Sequence, residues 1–331
     1  METYNDLTPD KIQEIAKKFQ ESRVLLTAVE LGIFTVLNKK RLTSLEISEI
    51  IQTDPRGMDR LLNALTALGF LLKRNDKFMN FPGISEFLVK GESGYMGNLH
   101  HTNSLWDRWS SLTEAVKNGG SVNKKSINSR GKEWLEDFIA AMHYRGTGQA
   151  KILSMMIDLS NVKKMLDVGG GSGAYSMRFM EKNKDIDAVL FDLPNVIPIA
   201  KKYVENNGKS EKFTFVTGDY LVDDFGTGYD LIFLSAIVHI NSFEENRLLI
   251  KKCVEALNPK GQIVINDFIM NENRVEPKIG VMFALNMLTS TLKGDTYTES
   301  EIAGWFKESG LHSIEHKQTS FGSSIMIAIK D

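Results

Sequence analysis

From Lys163 to the C-terminus, short apolar runs alternate with stretches of helical periodicity, and this alternation constrains the fold more than any other feature of the chain. The runs KKMLDVG, DAVLFDL, KFTFVTGD, YDLIFLSA and GQIVINDF are too short for helices and read as buried strands. Between them AYSMRFMEKN, PNVIPIAKKYVENN and FEENRLLIKKCVEALN repeat their apolar residues every three to four positions, as helices do. Strand and helix in alternation predict a doubly wound, mostly parallel sheet. The last two runs, HSIEHKQT and SSIMIAIK, are joined through Phe321-Gly322, with no room for a crossover helix. They should therefore pair antiparallel at one edge.

The first of these strands runs into a glycine cluster, MLDVGGGSGAYS over residues 165–176. Gly169, Gly171 and Ala174 satisfy the dinucleotide fingerprint, and Asp192 follows at the end of the next strand, where a carboxylate accepts from ribose hydroxyls. The fingerprint alone leaves a nicotinamide-dependent oxidoreductase open. Three features favour a different nucleoside. Asp167, two residues before Gly169 at the expected mouth of the site, would repel a pyrophosphate but suit an ammonium and a sulfonium. The third strand ends in VTGDY, which puts Asp219 where it can accept from an exocyclic amine and Tyr220 where it can cover an adenine face. An antiparallel pair closing the sheet is the third, being the arrangement found in S-adenosylmethionine enzymes.

The N-terminal hundred residues follow other rules. Thr8-Pro9, the Thr43/Glu46 capping-box spacing and Asp54-Pro55 mark three helix starts, Gly69 marks a stop, and FLLKRNDKFMNF predicts a hairpin around Asn75-Asp76. Helix, turn, helix and hairpin make a winged helix, a shape used by DNA-binding proteins, with Arg56 and Arg60 on its second helix. That helix, LLNALTALGFLL, is too apolar to lie in a groove, so packing against a partner chain is the expected use. A ligand-sensing transcription factor is the corresponding alternative. Residues 101–160 form a helical segment with a polar loop, NGGSVNKKSINSRG, in its middle. The expected division is a dimerisation domain over 1–100 and a catalytic domain over 101–331, with its sheet from 161 onward.

Composition sets the remaining bounds. The 331 residues carry a net charge of -2, which gives no reason to expect nucleic acid or an anionic membrane as a partner. No basic region followed by an apolar core opens the chain, and the longest apolar stretch is about half a membrane span, so a cytoplasmic protein is expected. The single cysteine, Cys253, lies in a helical run and reads as a buried small hydrophobe. Neither His nor Cys shows metal-ligand spacing, so no metal is expected.

Taken in order, LDVGGGSGA, FDLPNV, TGDY, FLSAIVHINSFEEN, NPKGQIVINDFIM and LNMLTSTLKGDTYTESEIAGWFKESGL resemble the S-adenosylmethionine-dependent O-methyltransferase family. That family includes plant caffeic acid and flavonoid O-methyltransferases and acetylserotonin O-methyltransferase. The resemblance covers nearly the whole chain. It implies a Rossmann-like catalytic domain and a homodimer whose N-terminal domains interlock. It also implies S-adenosylmethionine as cofactor, S-adenosylhomocysteine as product, and a small aromatic or otherwise planar hydroxyl compound as acceptor.

Carried over residue by residue, the resemblance puts Gly169, Asp192, Asp219 with Tyr220, Ser235 and Gly146 around the cofactor. It makes His239 the general base and Asp267 an acid flanking it. Phe138, Met142, Trp109, Met282, Asn286 and Met287 fall where the family lines its substrate pocket, although each also reads as helical core. Two departures matter. Ile240 and Asn241 stand where many members have Asp-Trp after the base, and Thr296 stands where a second flanking acid is usual, with Asp295 one residue earlier. Methylation of carbon, sulfur or nitrogen on the same fold therefore stays open.

Overall fold

In the computed structural model, which describes residues 7–122 and 131–331, the N-terminal helices begin where the sequence caps them. Thr8 Oγ1 accepts from the Lys11 N–H ahead of α1 (Pro9–Lys17), and α2 (Phe19–Glu30) and α3 (Ile33–Val36) follow. Thr43 and Glu46 exchange the two bonds of a capping box at α4 (Ser44–Ile51). Asp54 caps α5 (Pro55–Ala67), and Gly69 beyond its end takes φ +83°, a conformation that terminates a helix cheaply only with glycine. β1 (Leu71–Arg74) and β2 (Lys77–Asn80) form the expected hairpin, and α6 (Ile84–Leu88) follows. α5 buries Met58, Leu62 and Leu65, so its apolar face is core. By contrast α1 buries nothing, and its Ile12 and Ile15 are more than half exposed. This unit extends through Leu105, within α7 (Asn98–Ser110); the second begins at Trp106.

The second unit continues with α8 (Leu112–Asn118) and the 25-residue α9 (Lys132–Met156). Most of the polar loop between them lies outside the described residues. Strands and helices then alternate: β3 (Lys164–Val168), α10 (Ala174–Lys182), β4 (Asp187–Asp192), α11 (Ile197–Asn206), β5 (Phe213–Thr217), β6 (Tyr229–Ser235), α12 (Phe243–Ala256) and β7 (Leu257–Asp267). β8 (Ile269–Met270), α13 (Lys278–Ser290), β9 (Tyr297–Thr298), α14 (Glu299–Glu308), β10 (Ser313–Gln318) and β11 (Ser324–Ile329) complete the chain. The main sheet has seven strands in the order β10-β11-β7-β6-β3-β4-β5. β5, β4, β3, β6 and β7 are parallel, whereas β11 pairs antiparallel with β7 and β10 with β11. The chain moves outward from β3 through β4 to β5, then returns to β6 on the other side of β3. That switch point opens the crevice in which such sheets bind ligands.

Alternation along each strand divides the core in two. Leu166 and Val168 face one layer with Ile232, Leu234 and Ile265, covered by α12 and α14. Met165 faces the other with Leu231, Phe233 and Val264, covered by α10 and α11. Cys253 lies fully buried in the first layer, and burial pushes its thiol up to about 12, well out of nucleophile range. Two elements had no signal in the sequence. β8 and β9 are two-residue strands, too short for periodicity to register, and β7 starts at Leu257, within the stretch that reads as the tail of α12. Among the described residues, no helix is long and apolar enough to cross a membrane.

Candidate active site

The carboxyl ends of the five parallel strands converge on the glycine loop after β3, but the glycines answer to different neighbours. A side chain at Gly169 (φ +64°) would overlap Ile237 Cδ1. One at Gly170 would lie 2.8 Å from the Asp167 carboxyl carbon. The first two glycines are therefore required by the protein's own packing. Gly171 (φ +56°) is the open one, for a Cβ there would meet nothing nearer than Ile139 Cδ1 at 3.8 Å. Loop and sheet are joined by Asp192 at the end of β4, whose Oδ2 accepts from the Gly171 N–H at 2.8 Å and whose Oδ1 accepts from the Leu193 N–H at 2.7 Å.

Asp167 departs from the sequence expectation. It is 1% exposed and does not stand at the mouth of the crevice. The period of two puts it on the same face as Met165, pointing at α10, where it accepts from the Ser176 hydroxyl beneath the loop. Burial, reinforced by the charge of Asp192, pushes its carboxyl up to about 7 despite the Ser176 bond. Burial likewise pushes Asp192 up to about 6, against its two backbone hydrogen bonds. Two carboxyls raised by burial thus flank the loop, one beneath it and one half-buried at its side.

Other candidates lie along the same edge. Asp219 is exposed beyond β5, where its Oδ1 accepts from the Leu221 N–H. Tyr220 is half-buried against the core, and its hydroxyl donates to Asn241 Oδ1 at 3.0 Å, so it ties the loop after β5 to the loop after β6. Ser235 ends β6 and accepts from Asn266 Nδ2 at 2.9 Å. Gly146 is buried in α9, and a Cβ there would sit 3.4 Å from both Ala174 and Tyr175. It lets α9 close on the first turn of α10.

His239 is in a single 3₁₀ turn (Val238–Ile240) after β6, 8% exposed. Asp267, the last residue of the adjacent β7, is 4% exposed and brings its Oδ1 to 2.7 Å from His239 Nδ1. The same oxygen also accepts from the Phe268 N–H at 2.8 Å. Register explains the meeting: Ser235 pairs with Asn266, so the residues that follow leave the sheet side by side. The Phe283 ring presents to the imidazole edge-to-face, with centroids 4.8 Å apart. Asp295 takes no second flanking role. Half-exposed, it stands 3.7 Å from the Arg274 guanidinium, while buried Thr296 gives its carbonyl to the same arginine. Gly294 is pressed against the backbone carbonyls of His239 and Ile240, which leaves no room for a side chain.

The pocket-lining candidates divide. Trp109 Nε1 donates to Asn286 Oδ1 at 3.3 Å, bringing α7 and α13 together. Phe138 stacks on Trp134 one turn earlier in α9, centroids 5.2 Å apart, and Met142 is half-buried on the next turn. Met287 is core at 6% exposure, whereas Met282 is 45% exposed. Phe283, Phe268 and Asn241 were missed by the sequence reading. Phe283 sits between two expected pocket residues, and helical spacing alone does not separate it from them. Among the described residues, no group of three or more His, Cys, Asp or Glu side chains is placed to hold a metal ion.

The hydrogen-bond acceptors beside the open loop suit a nucleoside. Asp192 and Asp219 are acceptors for hydroxyls and amines, and the open side of Gly171 leaves space against the loop. Comparison with known proteins bears on the family. An O-methyltransferase domain model matches residues 109–312, and an O-methyltransferase dimerisation domain model matches residues 13–85. The chain is 27% identical to the tetracenomycin polyketide synthesis 8-O-methyl transferase TcmO of Streptomyces glaucescens, over 97% of both chains. It is 28% identical to acetylserotonin O-methyltransferase of Gallus gallus, over 96% of this chain and 97% of that one. The solved structure of human N-acetylserotonin methyltransferase in complex with SAM superposes with a TM-score of 0.86 at 22% identity, covering 100% of this chain and 99% of that one. With the catalytic model matching more than half of its length, the chain belongs to the S-adenosylmethionine-dependent O-methyltransferase family.

Proposed function

We propose that this protein is a homodimer that transfers a methyl group from S-adenosylmethionine to a hydroxyl of a small planar, aromatic acceptor, with His239 as general base. The observation that carries the reading is the buried His239–Asp267 pair, 2.7 Å apart at the strand ends beside the glycine loop. When bound, S-adenosylmethionine supplies an already activated methyl group on a sulfonium. What is left for the protein is to align the partners, keep water out and take one proton.

In this reading Asp192 accepts from the ribose hydroxyls and Asp219 from the adenine amine, while Gly146 and Ser235 border the methionine end. Asp167 supports the loop from beneath and touches no ligand. Asp267 accepts from Nδ1–H of His239, which fixes the tautomer and leaves Nε2 to receive the acceptor's proton. The carboxylate then stabilises the imidazolium that forms. Phe283 holds the ring from the side. Trp109, Phe138, Met142 and Asn286 supply a flat, mostly apolar wall, which suits a planar acceptor. The half-exposed Ile12 and Ile15 of α1 and the dimerisation-domain match support association through the N-terminal unit.

The test is transfer of labelled methyl groups from S-adenosylmethionine to a panel of phenols, thiols and activated carbons. Phenols should be labelled, and His239→Ala should lower turnover by ~10²–10⁴ with S-adenosylhomocysteine affinity nearly intact. Labelling of thiols or carbons alone would remove the hydroxyl acceptor. Full turnover in the variant would remove the base.

A further inference from the structure

The glycine loop is anchored from a side the cofactor reading does not use. His143, on α9, brings Nδ1 to 2.8 Å from the Ser172 hydroxyl, in the middle of Gly171-Ser172-Gly173. Ser172 is 4% exposed. The imidazole stacks on Tyr203 of α11, centroids 4.3 Å apart and planes 28° from parallel, so its orientation is fixed from the opposite face. Ile139, His143 and Gly146 lie three to four residues apart, on one face of α9. That face follows the loop: Ile139 approaches Gly171, His143 bonds Ser172, and Gly146 closes on Ala174 at the start of α10.

We propose that His143 is a positioning residue for cofactor binding, holding the 169–173 loop in its ligand-ready conformation through Ser172. The loop needs such an anchor. Gly169, Gly171 and Gly173 all have positive φ, and glycine gives the unliganded loop many alternatives to this path. Gly171 has no close packing on the side a Cβ would occupy. Asp192 ties the loop to β4 through the Gly171 N–H, and His143 ties the next residue to α9 and α11. The two anchors grip adjacent residues from different elements, so losing either loosens the segment that meets the ligand. Burial lowers the pKa of His143, so the ring is neutral at pH 7 and adds no charge that would repel a cationic ligand.

The inference rests on the cofactor reading above, and two measurements on the full-length protein separate them. The first is calorimetric titration with S-adenosylhomocysteine. His143→Leu and Ser172→Ala should each weaken binding about ten-fold, the equivalent of one hydrogen bond, and the double variant no further, because both remove the same bond. His143→Asn, whose amide can replace Nδ1, should restore affinity to within about three-fold. The second is amide hydrogen exchange of residues 170–173 without ligand, which His143→Leu should accelerate about ten-fold while the melting temperature shifts by only a few degrees. Unchanged exchange, multiplying losses in the double variant, or His143→Asn as weak as His143→Leu would overturn the proposal. Absence of S-adenosylhomocysteine binding by the unmodified protein, with exchange accelerated as expected, would overturn the cofactor reading alone.

Discussion

Asp167→Asn reads out the electrostatic cost of the glycine loop without any substrate. The carboxyl is 1% exposed beneath Gly170 with the Ser176 hydroxyl donating to it, and burial raises it from 3.8 to about 7. The sign is the reverse of a salt-bridged acid, because the folded state holds its proton more tightly than the unfolded chain. Below about pH 4 both states are protonated and the group is silent; above about pH 7 both are ionised and the folded state carries the full penalty. With these two values the group lowers stability by about 2.5 kcal/mol between pH 5 and pH 8. Asn is isosteric, keeps a carbonyl for Ser176 and does not titrate. Its extra N–H costs about 1–3 kcal/mol if it finds no partner, and that cost is the same at both pH values. The stability of the variant relative to the parent should therefore improve by about 2.5 kcal/mol from pH 5 to pH 8, measured by guanidinium unfolding of both proteins at each pH. A difference that stays constant within about 0.5 kcal/mol, or moves the other way, would refute the buried, proton-retaining carboxyl.

Three further outcomes follow from the same geometry. With Asp192 raised to about 6, its carboxylate is about nine-tenths protonated at pH 5, so S-adenosylhomocysteine affinity should fall about ten-fold from pH 8 to pH 5; in Asp192→Asn binding should be weak at both pH values, and a parent affinity flat with pH would count against the ribose contact. Gly169→Ala should cost about 1–3 kcal/mol in thermal unfolding, from its positive φ together with overlap on Ile237; adding Ile237→Val should recover only the overlap, since the backbone cost remains. Cys253, buried with its thiol near 12, should resist iodoacetamide at pH 8 in the folded protein and react once unfolded, as mass spectrometry would show.

What could be read from the sequence was the part written in short-range rules. Thr8, Thr43 and Asp54 cap the helices they should, because a cap is a bond between residues three apart. The parallel strands and the antiparallel edge pair follow from run length and linker length alone. Asp192, Ser235, His239 and Asp267 were legible as candidate site residues because each lies at or just past a strand end, and strand ends converge in this fold. Asp167 is the instructive failure. Its distance from the glycines suggested the mouth, but strand alternation, readable from the same sequence, turns it toward α10. His143, Phe283 and Asn241 were not legible. Their contacts depend on which face of α9 or α13, or which side of the loop after β6, meets which neighbour, a long-range fact with no counterpart in local spacing.

The departures after His239 have a physical counterpart in the structure. Asn241 is 3% exposed and fully engaged: Oδ1 accepts from Tyr220, Nδ2 donates to Asn246 Oδ1, and its carbonyl accepts from the Tyr297 hydroxyl at 2.6 Å. Asn246 in turn donates to the Val238 carbonyl, one residue before His239. A chain of polar contacts thus runs from the loop after β5, where Asp219 lies, to the turn that carries His239, and Gly294 closes the turn from the other side. Such a buried network holds one arrangement firmly only while every member is paired, and here every Asn241 side-chain group is. Asp295, drawn off by Arg274, is not part of it. Among the described residues, Asp267 is thus the one carboxylate hydrogen-bonded to the imidazole, and placement of His239 otherwise depends on backbone turns and neutral amides. In the proton transfer we propose, the imidazolium would be stabilised chiefly by that single 2.7 Å contact. In that proposed reaction, an acceptor whose hydroxyl is already acidic, as a phenol is, would ask least of His239.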